Sequence, residues 1–132
     1  MKELRCLVFT DQEVIKAVLD RRRRMREPLP VGTVESITHR NADGIETVLK
    51  VVDDDGGVHD LTLPEAEVAA AMVAYCMGRR IPLPVASDKT LNLINGGLTL
   101  MITMNFNKAP RLVGALTGTD GKPGAGRRKL GI

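Results

Sequence analysis

The sequence predicts an α+β domain with a mostly antiparallel sheet in the order β-α-β-β-β-α-β-β, two helices packed on one face, and a flexible C-terminal tail. Three observations carry this expectation: a capping box ahead of a helical stripe, two Gly-ending turns between alternating runs, and an Asn-Gly-Gly turn further on. A chain of 132 residues holds one two-layer core and is too short for two. The domain is placed at residues 1–106 and the tail at 107–132.

"LRCLVF" is a short apolar run with β-branched and aromatic members, as a buried strand requires. In "TDQE", Thr10 can accept from the amide of Glu13 while Glu13 reaches back to the amide of Thr10, so a helix starts there. Val14, Ile15, Val18, Leu19 and Met25 form its apolar stripe, and Pro28 and Pro30 stop it. Three strands follow, separated by "RNADG" and "DDDGG". Ile45, Thr47, Leu49 and Val51 share one face of the middle strand. The second helix is expected from a Thr62 cap, Pro64 and the acids Glu65 and Glu67, running to Gly78. Ala66, Ala70, Ala74 and Gly78 make a smooth lane along it, suited to packing on the chain's own sheet or to a homodimer seam. Residues 87–94 alternate as a strand before Asn95-Gly96-Gly97, with a short helix as the rival reading, and Leu98, Leu100, Ile102 and Met104 alternate after the turn.

Composition narrows the function classes. No run approaches the roughly 18 apolar residues of a membrane span, and "MKELRCLVFT" lacks the apolar core of a secretory signal, so a cytoplasmic protein without membrane contact is expected. Cys6 and Cys76 lie in apolar runs with no Cys or His at metal-ligand spacing, which predicts buried, reduced thiols. The charge is uneven. Lys108, Arg111, Lys122, Arg127, Arg128 and Lys129 face a single acid, Asp120, in the tail, which therefore carries +5; the 13 basic and 15 acidic residues before it leave the body at −2.

Nothing in the sequence marks an enzyme, and no cofactor or metal is expected. His39 and His59 fall on strands near opposite ends of the three-strand unit, within reach of Asp53, Asp54 or Asp60, but no nucleophile or oriented base accompanies them. "DDDGG" is too short for a calcium loop and lacks the bidentate Glu, so it predicts a hairpin turn with solvated acids. No Gly-rich phosphate loop is present. The inner order α-β-β-β-α is also that of double-stranded-RNA-binding domains. Those need a lysine-rich start to the second helix, where this chain has "PEAEVA".

The candidate binding residues are basic. "LDRRRRMRE" places four consecutive arginines around a whole helical turn, so they cannot all meet one ligand. Arg22 falls in the apolar stripe and is expected to snorkel, leaving Arg21, Arg24 and Arg26 free, with the "DDD" loop or a partner's acids as counter-charge. Together with Arg127, Arg128 and Lys129 of the tail they are the expected contacts. The leading expectation is a non-catalytic interaction domain with a protein partner. The alternative is an RNA or DNA backbone held by the tail and the Arg21 to Arg26 cluster. With Phe9, Tyr75 and Phe106 as its aromatics, the chain offers bases no stacking platform.

Overall fold

The expected elements occur in the expected order in a computed structural model, which describes residues 1–106. They are β1 (Lys2–Val8), α1 (Asp11–Arg24), β2 (Gly32–Asn41), β3 (Ile45–Asp53), β4 (Val58–Leu63), α2 (Glu65–Gly78), β5 (Asp88–Ile94) and β6 (Gly97–Asn105). The fold is α+β. The tail expected at 107–132, with Arg127, Arg128 and Lys129, lies outside the described residues.

The strands divide into two antiparallel sheets of three, ordered β2-β3-β4 and β1-β6-β5. The first is a local meander. The second brings the first and last described strands together, because β1 pairs along β6 from Lys2↔Asn105 to Val8↔Thr99. Residues 88–94 form a strand, not a helix, and Ile94↔Gly97 closes a two-residue turn. Asn95 and Gly96 both have positive φ there, 50° and 79°, as a type I′ turn demands.

One apolar core joins both sheets to both helices. The inner rows supply Ile45, Leu49 and Leu63 from the meander and Leu91, Leu98, Leu100 and Ile102 from the terminal sheet. Val14, Ala17 and Val18 of α1 and Val68, Ala69, Ala71, Met72 and Cys76 of α2 close over them. Each such Leu or Ile removed from water stabilises the fold by about 1.5–3 kcal/mol. The helices run in opposite directions: Phe9, just before α1, meets Tyr75 late in α2, while Arg22 late in α1 reaches Glu67 at the start of α2.

Three local expectations are corrected. Pro64, not Thr62, is the N-cap of α2 and makes no side-chain cap bond, since Thr62 is still paired with Val48 in the ladder. Glu65 turns instead to accept the Ile45 amide at 2.8 Å, tying the helix start to β3. Cys76 is buried, whereas Cys6 is exposed, because the alternation of β1 turns it to the outer row with Leu4 and Val8. Asp53 is no solvated acid: its Oδ1 accepts the amides of Asp55 and Gly57 at 2.9 and 2.7 Å, and its Oδ2 meets His59 Nε2 at 2.9 Å. These bonds, with the His59 contact foremost, hold the Asp53 carboxyl below its usual range.

Both helices end in the same motif. The Glu27 amide donates to the Arg22 carbonyl and that of Arg26 to the Arg23 carbonyl; Ile81 and Arg80 do the same to Cys76 and Met77. The left-handed position in each is an arginine, Arg26 at φ 59° and Arg80 at φ 58°, where glycine is the usual occupant.

Candidate anion-binding cleft

The capping box of α1 forms as its sequence dictates: Thr10 Oγ1 accepts the Glu13 amide at 3.1 Å, and Glu13 Oε1 accepts the Thr10 amide at 2.9 Å. Starting the helix at Asp11 fixes which way each residue of the arginine run points. Ala17, Asp20, Arg23 and Arg24 then share one side of α1 at spacings of three and four. Ala74, Tyr75, Gly78 and Arg79 share the facing side of α2. Between them lies a cleft of about 350 Å³.

Each arginine of the run has a different task. Arg22 does not merely snorkel. Its Nε donates to Glu67 Oε2 at 2.6 Å and its Nη2 to Oε1 at 3.0 Å, a two-pronged bridge between the helices with both side chains more than three-quarters buried. This bond raises the guanidinium pKa above its ordinary value despite partial burial, so the group stays charged. Arg23 lies 3.6 Å from Asp20 and is partly neutralised. Among the described residues the acidic partners of the run are Glu67 and Asp20, not the loop at Asp53 to Asp55. Arg24 is exposed on the cleft. Of the expected contacts Arg21, Arg24 and Arg26, the fold brings Arg24 to the cleft and leaves the other two off it.

The sequence marks Arg79 only as a charge at a helix end rich in small residues. Its guanidinium lies 3.7 Å from the centroid of the Tyr75 ring, and that ring packs tilted at 55° on buried Phe9, centroids 5.6 Å apart. A flat, supported cation results. The small-residue lane explains the room beside it. Ala74 and Gly78 face α1 across the cleft rather than the sheet, and Ala66 is exposed.

The histidines are both committed to structure. His39 Nδ1 meets Thr47 Oγ1 at 2.9 Å on the neighbouring strand, and its ring is only 5% exposed. Nε2 is buried without a hydrogen bond and stands 3.7 Å from Asp11 Oδ1. Burial lowers the ring's pKa below 6.5, with Asp11 pulling the other way. His59 belongs to the Asp53 turn. Among the described residues no group of three or more His, Cys, Asp or Glu could hold a metal, and no helix is long and apolar enough to cross a membrane. No protein-family model, curated protein or solved structure matches this chain.

Proposed function

We propose that this chain is a cytoplasmic, non-catalytic interaction domain whose cleft between α1 and α2 holds an acidic segment of a protein partner. The observation that carries the proposal is the placement on one cleft of two arginines, Arg24 and Arg79, that no described carboxylate bridges. Because the helices are antiparallel, the two approach from opposite ends, over a floor of Ala17, Ala74 and Gly78. An extended segment with several carboxylates can meet both arginines at once, which one isolated anion at either end cannot. Electrostatic attraction of this kind sets partner choice and encounter rate more than affinity.

The test is binding of an extended glutamate-rich peptide, over a salt series, to the intact chain and two double variants. Arg24→Gln with Arg79→Gln should weaken binding about tenfold, and Arg21→Gln with Arg26→Gln should leave it within about twofold. A mixed-sequence RNA and DNA are run alongside. Tighter nucleic-acid binding that is lost when Arg127, Arg128 and Lys129 become Gln would replace this reading with the phosphate-backbone one. Absence of peptide binding at physiological salt would end it.

A further inference from the structure

The outer face of the β1-β6-β5 sheet is a surface with no task in the cleft. Its rows follow from the register: Lys2, Leu4, Cys6 and Val8 on β1; Thr99, Met101, Thr103 and Asn105 on β6; Asp88, Thr90, Asn92 and Ile94 on β5. Leu4 is 56% exposed, Val8 57% and Ile94 37%, and Cys6, Thr90 and Asp88 are exposed as well. Thr99, between Val8 and Asn92 in the ladder, is covered. Twelve positions thus carry two charges, Lys2 and Asp88. Neither is in an ion pair with a described residue, since β6 stands between their strands.

We propose that this face is a dimer seam for a second copy of the chain, stacked face to face about a two-fold axis parallel to β6. That axis lays β1 of each copy over β5 of the other and β6 over its own counterpart. Sheets packed face to face lie about 10 Å apart. Lys2 and Asp88 sit at the same end of the sheet on opposite edge strands, Lys2 level with Asn105 and Asp88 level with Thr103. The dyad therefore carries each Lys2 to the diagonal neighbour of the other copy's Asp88, giving two equivalent ion pairs. Met101 of each copy meets Met101 of the other on the axis. An axis perpendicular to the strands would instead separate the charges to opposite ends.

The charges left unpaired within one copy are paired across two, and Leu4, Val8 and Ile94 are removed from water in the same step. The plan area, three strands at ~4.8 Å by about eight residues at ~3.4 Å, is on the order of 400 Å². A stable dimer buries roughly 800 Å² on each side, so this one forms and separates with concentration. This goes beyond the cleft, which lies between the helices on the other side of the sheet.

The experiment is sedimentation velocity of the full chain across a micromolar to submillimolar range, with four proteins of unchanged circular dichroism. Wild type should show a concentration-dependent dimer. Lys2→Glu alone sets two carboxylates against each other on each side of the dyad, and Asp88→Lys alone sets two ammonium groups there, so each should weaken self-association about tenfold. Mixing those two single variants restores one attractive pair while leaving the other reversed in sign but still attractive, and should recover the dimer as a one-to-one heterodimer. Met101→Lys, which puts two like charges on the axis, should abolish it. A wild type that stays monomeric, a dimer indifferent to these changes, or a mixture no tighter than its components would each overturn the proposal.

Discussion

The meander β2-β3-β4 and the terminal sheet β1-β6-β5 match in strand number, antiparallel pairing and buried inner rows, yet their outer rows differ in kind. On the meander, opposite charges sit on adjacent strands: Arg40 Nε donates to Glu46 at 2.8 Å, and Lys50 stands level with Asp60. That face matches its charges in place, and its exposed apolar side chain is Val58, opposite Val52. On the terminal sheet the charges are few and separated by a strand, with exposed Leu and Val between them. Equal cores therefore do not imply equal surfaces, and the surface that fails to satisfy itself is where association is expected.

The largest expected effect tests the equality of the inner rows. Leu49→Ala on β3 and Leu100→Ala on β6, both fully buried, should each cost about 2–5 kcal/mol in urea unfolding. A much milder result for one would show that its sheet packs less tightly than burial implies. Backbone closeness should come next and should separate the sheets. A Cβ on Gly32 would lie 2.2 Å from the Val52 carbonyl oxygen, whereas one on Gly96 meets nothing within 4 Å. Gly32→Ala should thus cost at least about 1–3 kcal/mol. Gly96→Ala should lose only the roughly 1 kcal/mol of its left-handed backbone.

Acid should distinguish the sheets in a third way. His39 has a folded pKa below the unfolded value of about 6.5, so the unfolded chain takes up its proton first. Stability is full above pH ~6.5 and falls as pH drops through the interval below it. In native-state hydrogen exchange, β2 and β3 amides should lose protection over that interval, and His39→Gln should remove the dependence. The smallest effects on stability belong to the outer rows: Val48→Lys and Met101→Lys should each stay within about 0.5 kcal/mol. Only Met101→Lys should alter self-association.

What the sequence made legible is whatever a few neighbouring residues decide. The capping box at Thr10, the Asn95-Gly96 turn and the alternation of β3 each rest on short-range contacts, and each appears as expected. Cross-chain choices were not legible. That β1 joins β6 rather than the meander depends on which edges are left open after α2, and alternation in "LRCLVF" fits either partner. For the same reason the sequence misplaces Cys6: in a short apolar run the strand's period is clear but its phase is not. The cleft shows both cases. Arg24 stands out through its charge cluster, whereas Arg79 gains its role from Tyr75 beside it and from Phe9, which lies far away in the chain. The bridge from Arg22 to Glu67 crosses 45 positions and is equally hidden.

The pairing of Lys2 with Asn105 also sets an order of events during synthesis. The meander needs only residues 32–63 and can close while the ribosome is still adding chain, but β1 has no partner until β6 emerges. Closing a loop of that length is entropically slow compared with forming the two hairpins of the meander. β1, made before the meander, is thus built in after it, and in pulse-labelled refolding its amides should become protected after those of β3. Protection of β1 ahead of β3 would reverse that order.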